Sequence, residues 1–415
     1  MNTKFSKKFG LIALSMVLLC SALPAWALTA TQVAKLLASD GETWDDFGYA
    51  IAIDGDTALI GAYNDDKVGY DTQGSAYVFT RDAGGNWTEQ IKLKATDAAS
   101  SQYFGVSVAL EGDTAVICAT DGDGDPSGSA YVFTRDVGGN WTQQAKLVAA
   151  DGPQSGFGEW VALDGDTVLV GAQGWLYDNG NPSGSAYVFS RDASGNWTQQ
   201  GKLLAADGAP GDHFGWSVAL DGDTALIGAW RNDSAYVFTR DAQGLWTQEE
   251  KLVAADGVGY MEFGWSVALS VDTALIGAEC DNDCAGSAYV FTRDAGSNWT
   301  QQAKLIGTDV SYGQQFGGSV ALDGDTALIG SIADDDNGPD SGSAYVFTRS
   351  GSTWTQQAKL IADDGIAGEF FGYSVALDGD TALISSDQGS FGGNRKGSAY
   401  VFKFSPPNNT QVELP

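Results

Sequence analysis

The chain has 415 residues, of which 55 are glycine and only nine proline, and its 22 basic against 53 acidic residues leave a formal net charge of −31. So negative a surface repels phosphate backbones, which excludes nucleic acid as a partner. The single histidine, His213, allows at most one histidine-based triad or one histidine metal ligand, and no Gly-rich phosphate loop or Cys/His zinc spacing is present.

Taken in order, residues 1–27 read as a secretory signal. Lys4, Lys7 and Lys8 precede an apolar run at 9–19, and Ala25-Trp26-Ala27 puts small residues at the two positions a signal peptidase reads. The run is too short for a membrane anchor, which needs about 20 apolar residues. Leu19 before Cys20 is bulkier than the small residue a lipoprotein signal uses. Cleavage after Ala27 removes three lysines and no acid, taking −31 to −34. The expected destination is secreted, periplasmic or cell-surface, without a transmembrane segment.

Beyond the signal, the chain is one unit written seven times. Phe-Gly recurs at Phe47, Phe104, Phe157, Phe214, Phe263, Phe316 and Phe371, and a period near 50 residues predicts a propeller. Within 214–257, four short β-rich segments are bounded by turn residues: A (215–220, GWSVAL), B (224–229, TALIGA), C (234–240, SAYVFTR) and D (246–254, WTQEEKLVA). Asp221-Gly222-Asp223 between A and B predicts a type I′ hairpin turn, glycine supplying positive φ. Four antiparallel strands make one blade. Residues 30–37, ATQVAKLL, copy a strand D with no A, B or C before it, and the seventh unit supplies A, B and C and then stops. The predicted architecture is therefore an all-β, seven-bladed propeller over 28–404, closed by an N-terminal strand that completes the last blade, with 405–415 a disordered tail.

The FG opening A, the GA ending B and the YVF of C resemble the FG-GAP repeat, the blade unit of the propeller at the head of integrin alpha chains and of many bacterial surface proteins. The resemblance implies a seven-bladed propeller and a role in adhesion. Two features depart from the pattern. The Pro of GAP is absent, and the A–B loop that holds calcium in integrin-type repeats is cut to Asp54-Gly55-Asp56 and its equivalents, so the family's calcium ligands do not carry over. The C–D turns, as at 80–87, 134–141 and 292–299, are similar to the Asp-box hairpin of sialidases, in which Asp and Asn cap their own turn and Trp packs beneath it. A sialidase also needs three arginines converging on the substrate carboxylate. Arg81, Arg135, Arg191, Arg240, Arg293 and Arg349 all sit in these hairpins, leaving only Arg231 and Arg395, so that activity is set aside.

The motifs require no cofactor, and calcium is the ion the acidic loops would take. Asp121, Asp123 and Asp125 alternate like the first half of a calcium loop, with Pro126 where Gly would come next and Val132 at the twelfth place. Asp334, Asp335, Asp336 and Asp340 form a second acidic loop. Cys280 and Cys284 bracket three polar residues, as a local disulfide would, and Cys118 replaces the Gly of GA as a buried thiol.

Chain direction alternates, so the D–A and B–C loops share one face of the ring and the A–B and C–D turns the other. The second face is monotonous. The first varies in length and chemistry, and function is usually grafted onto such loops. It carries the candidate ligand-binding residues Trp44, Tyr103, Trp175, Tyr177, Trp230, Arg231, Tyr260, Tyr312, Phe370 and Arg395; Trp216 and Trp265, directly after Phe-Gly, are expected to pack between blades. Two functions fit. One is an exported, monomeric, non-catalytic binding or adhesion module that recognises a glycan or protein through this face. The other is an exported carbohydrate-active hydrolase or lyase, whose signature would be clustered carboxyls with raised pKa at the axis.

Overall fold

The computed structural model describes residues 28–65, 72–97, 102–120, 128–152, 156–174, 183–387 and 396–405. Seven four-stranded antiparallel sheets are arranged around one axis. Strand A of each blade is innermost and meets strand A of its neighbours: Phe47–Asp54, Val108–Glu111, Phe157–Asp164, Val218–Asp221, Phe263–Ser270, Phe316–Asp323 and Phe371–Asp378. Strands B, C and D lie successively outward, as Thr57–Ala62, Ser75–Arg81 and Trp87–Leu93 do in the first blade.

The repeat's letters are explained by where they sit. Strand B is buried along nearly its whole length because blades cover both of its faces, so TALIGA carries no polar alternation. In C, the Tyr and Phe of YVF pack edge-on against the Phe of their own Phe-Gly, Phe47 lying 5.4 Å from Tyr77 and 6.1 Å from Phe79 between ring centroids. Strand D alternates exposed and covered residues on the ring's outer wall. The glycines of FG and GA meet across blades: a Cβ on Gly61 would lie 2.0 Å from the carbonyl oxygen of Gly105. Cys118 fits the GA position because the facing Gly158 stands further off, its Cβ position 3.4 Å from the cysteine Cβ; its thiol is fully buried, which pushes its pKa far up and keeps it protonated.

The ring closes as the N-terminal strand implies. Thr29–Leu36 lies antiparallel on Ser398–Ser405, the outermost strand of a sheet whose other members come from the opposite end of the chain. The closure uses the same latches as the other interfaces. In the first blade, Tyr77 Oη and Lys92 Nζ both reach Asp40 of the preceding D–A segment, at 2.8 Å each. In the last, Tyr400 Oη and Lys35 Nζ reach Asp364 at 3.1 and 2.7 Å, so the two chain ends converge on one carboxylate. The Gln32 side chain accepts from the Asp363 amide at 3.0 Å, as Gln143 does from Thr96 at 2.9 Å. On the opposite face, Arg135 bonds Asp113 of its own blade and Thr57 of the blade before it, at 2.7 and 3.1 Å, and its guanidinium lies over Trp141, 5.3 Å from the ring centroid.

One turn differs from expectation. Each A–B turn has a single residue at positive φ, Gly55 at 55° for example, whereas type I′ needs two. In the fifth blade this place is taken by Val271 at φ 53°, a β-branched residue in the left-handed region.

Candidate functional site at the channel mouth

A bulge after Phe-Gly sets the geometry of the mouth. In five blades Phe of FG pairs with the last residue of B, but the next pair in register, such as Ile51 with Ile60, comes after three residues of A have faced one of B. Bulges re-aim side chains, and here they turn the residues after Phe-Gly toward the axis. The residue before Phe-Gly is left-handed in every blade: Asp46, Tyr103, Gly156, His213, Glu262, Gln315 and Phe370. Because this recurs seven times, it is a device of the fold.

The result is a cavity of about 790 Å³ built in rings. A constant floor is made by Ile51, Val108, Val161, Val218, Val267, Val320 and Val375. Above it, the first residue after each Phe-Gly reads Tyr49, Val106, Glu159, Trp216, Trp265, Gly318 and Tyr373, seven equivalent places with varied chemistry. Residues C-terminal to strand B, among them Tyr63, Gln173 and Glu279, extend the wall.

The wall divides into three sectors. Tyr49, Tyr63, Tyr103 and Tyr373 form a phenol wall, Tyr49 lying 4.4 Å from Tyr63 and 5.3 Å from Tyr373 by centroid. Burial, with the Asp46 carboxylate second, pushes the Asp387 carboxyl beside it up to about 7. Trp216, Trp230 and Trp265 form an indole wall, with centroids 4.6 Å apart for Trp216–Trp265 and 5.2 Å for Trp230–Trp265. Behind it, Trp230 is covered by the Arg231 guanidinium at 4.4 Å and by the His213 ring at 5.5 Å. The third sector is polar. Gln173 donates to Glu159 through its amide nitrogen, and its oxygen accepts from His213 Nδ1 at 2.8 Å. Burial pushes Glu159 up to about 7 against that amide bond, and burial, then the Arg231 charge, lowers His213. Glu279 is 6% exposed; burial, then the neighbouring Glu262, raises its pKa well above the usual carboxylate range.

The predicted binding residues are distributed unevenly. Tyr103 lines the cavity. Trp230 is buried in the indole wall, with Arg231 and Tyr260 against it, Tyr260 at 6.1 Å. Trp44 and Tyr312 are exposed, at 48% and 82%. Phe370 is half-buried beside its own Phe-Gly. Trp175, Tyr177, Arg395, Asp121, Asp123 and Asp125 lie outside the described residues. Trp216 and Trp265 pack on each other across neighbouring blades, as expected, and also line the cavity, Trp265 from within the bulge of its blade. No motif marks Glu159, Gln173, Glu279 or the tyrosines at 49, 63 and 373 as site residues, although aligning the seven copies on Phe-Gly displays the ring they occupy.

Several of the acids elsewhere are engaged. Asp54 accepts from the Gly112 amide at 2.6 Å and Asp56 pairs with Arg81 at 2.6 Å, so the A–B turns do not fit the calcium of integrin-type repeats. Lys359 pairs with Asp309, Asp334 and Asp336 at 2.8–2.9 Å, which accounts for much of the second acidic loop. Among the described residues no group of three or more His, Cys, Asp or Glu is arranged to hold a metal ion. No described helix is long and apolar enough to cross a membrane. Cys280 and Cys284 are joined by a disulfide.

The family model described as the FG-GAP repeat matches residues 30–79, 87–133, 141–189, 197–238, 246–291, 299–347 and 354–402. Each match runs from strand D through C, so the N-terminal strand opens the first unit. No curated protein sequence matches the chain as a relative. Similar solved structures include a provisionally named 6-phosphogluconolactonase from Bacteroides uniformis, 14% identical with a TM-score of 0.57, covering 81% of this chain and 90% of that one. A protein from Lactobacillus plantarum is 16% identical with a TM-score of 0.53, covering 84% and 99%. The periplasmic gluconolactonase of Pseudomonas aeruginosa is 14% identical with a TM-score of 0.51, covering 76% and 86%. At these identities the likeness is one of fold.

Proposed function

We propose, for a chain that belongs to the FG-GAP repeat family, that the protein is an exported recognition module whose channel mouth binds a glycan. One observation carries this reading: a constant floor, valine in six blades and isoleucine in the first, supports a ring of seven equivalent positions where indoles, phenols and an acid predominate. Indole and phenol faces suit the apolar faces of sugar rings, and the carboxyl and amide groups between them suit hydroxyls. The opposite face repeats one hairpin and offers no such variety. Export is supported by the signal-like residues 1–27 and by the Cys280–Cys284 disulfide, a bond that persists in oxidising compartments.

The test is a glycan and protein array probed with residues 28–415, repeated with Arg231→Ala and Trp265→Ala. A restricted set of glycan hits, weakened by the substitutions, supports the reading. Hits on proteins alone, or glycan hits indifferent to Trp265→Ala, would refute it.

A second reading, a carbohydrate-active hydrolase or lyase, is favoured by one feature: Glu159 and Asp387 are carboxyls held partly protonated near neutral pH, as a general acid must be. It predicts that array hits are cleaved or eliminated on prolonged incubation and that Glu159→Gln abolishes turnover while retaining binding. Intact glycans after incubation would dismiss it.

A further inference from the structure

Glu279 and Glu262 form a pair of neighbouring buried acids at the edge of the indole wall. Asp65, Asp281 and Asp334 each face a lysine, at 2.5, 2.6 and 2.9 Å respectively. Glu279 and Glu262 are also buried, yet among the described residues neither pairs with a lysine or arginine, and Glu279 lines the cavity. Its Oε2 points at Gly318, where a Cβ would come within 2.8 Å of it, so the sixth blade keeps that ring position empty of side chain in front of the acid.

Glu262 and the indole wall share one turn, and Glu279 reaches them from the end of the neighbouring strand Thr273–Ala278. The Trp265 amide donates to the Glu262 carbonyl at 3.0 Å, placing a wall residue and an acid three residues apart on a left-handed turn. Tyr260, two residues earlier, packs on Trp230 at 6.1 Å. Trp265 in turn packs against Trp216 and Trp230. Carboxyls without a cationic partner, set beside indole faces in a concave site, form the combination that attracts a substituted ammonium group: the charge pairs with the acid while its alkyl surface lies on the π-faces.

We propose that this sector of the mouth binds an organic ammonium group, and that the glycan recognised carries amino sugars with free amines. The second half rests on the glycan reading above; the first does not. Entry of a cation would give the two acids the partner that lysine gives Asp65, Asp281 and Asp334, and the raised pKa of Glu279 in its absence is consistent with that need. The strongly negative chain would also draw cationic ligands to the face.

The experiment titrates the tryptophan fluorescence of the full chain with choline, with its uncharged isostere 3,3-dimethylbutan-1-ol, and with trimers of glucosamine and of N-acetylglucosamine. Choline should bind at least tenfold more tightly than the isostere, and the glucosamine trimer more tightly than its acetylated counterpart. Glu279→Gln should remove the choline preference and leave the weak binding of the isostere unchanged, which also shows that the variant is folded; Glu262→Gln serves if it is not. Equal affinity for choline and the isostere, a choline affinity indifferent to both substitutions, or no saturable response to choline would overturn the proposal. Neutral glycans binding in the mouth without any cation preference would overturn it while leaving the glycan reading intact. Choline binding together with a blank glycan array would remove the glycan reading and leave the ammonium site standing.

Discussion

The strand that closes the ring offers a test whose size can be worked out beforehand. Seven leucines occupy the same place near the end of strand D: Leu36, Leu93, Leu147, Leu203, Leu252, Leu305 and Leu360, all 2–3% exposed. Six are covalently next to their own blade. Leu36 pairs instead with Ala399, at the far end of the chain, and it packs with Leu383, Ala399 and Val401 of the last blade and with Phe47 and Tyr77 of the first. Truncating a buried leucine to alanine costs about 3 kcal/mol. With an unfolding entropy of about 2 cal/mol/K per residue, a propeller of this size should lose about 4 °C in Tm. Leu36→Ala and Leu93→Ala should therefore give the same shift by scanning calorimetry. Removing residues 28–37 altogether should cost far more than removing 406–415, because it strips a whole ladder and exposes the edge of the Ser398–Ser405 strand. A Leu36→Ala shift under about 1 °C beside a normal shift for Leu93→Ala, or equal Tm for the two truncations, would refute ring closure.

Other consequences are as direct. Val271→Gly should stabilise the protein by about 1 kcal/mol and Gly222→Val should destabilise it by a similar amount, since a left-handed backbone costs a side-chain-bearing residue roughly that much; denaturant midpoints moving the other way would contradict the turn geometry. A chelator should move Tm by no more than about 2 °C, because the A–B acids are already held by Arg81 and by neighbouring amides and their equivalents; a fall of about 10 °C would show that the B–C loops bind metal strongly enough to support the fold. Stability should fall as pH rises from about 5 to about 8. Glu159 and Asp387 have folded pKa values near 7, above their ordinary 4.5 and 3.8, so their contribution is complete below about 4 and is lost as pH passes 7. His213, lowered by burial, acts oppositely as pH falls through 6.5, and the ion-paired aspartates such as Asp40 lose their contribution only in strong acid. Glu159→Gln with Asp387→Asn should reduce the slope, with Asp45 and Glu279, also raised by burial, keeping the remainder, and an unchanged slope in the double variant would refute the assignment.

The fold was legible because its information is local and repeated. Phe-Gly, Asp-Gly and YVF each state a strand or turn within a short span, and the lone ATQVAKLL states how the ring closes. The site was only partly legible. Strand alternation taken alone sends the residue after Phe-Gly into a blade interface, and the bulge, which has no letter of its own, redirects residues such as Trp265 to the channel. The polar sector is assembled across blades: Glu159, Gln173 and His213 come from two repeats, and nothing in the sequence places them within hydrogen-bond reach. Loop aromatics such as Trp44 and Tyr312 draw notice because they break the repeat, yet the cavity wall is made chiefly by residues that keep the repeat's spacing and vary only its chemistry. The left-handed residue before Phe-Gly is likewise invisible, since six different side chains and one glycine adopt the same backbone.

The claim that the ligand site is the channel mouth on the variable face is tested most directly by comparing two tryptophans on opposite faces. Trp265 lines the mouth. Trp141 is buried beneath Arg135 in a repeated hairpin on the far face. Calorimetric titration of the strongest array glycan into Trp265→Ala and Trp141→Ala, with Tm measured alongside, separates binding from stability. Truncation of a buried aromatic contact in a binding site costs roughly 2 kcal/mol, so Trp265→Ala should weaken binding by about tenfold or more while lowering Tm less than Trp141→Ala, whose loss of Tm should leave affinity intact. Loss of binding in folded Trp141→Ala, with full affinity in Trp265→Ala, would place the site on the other face.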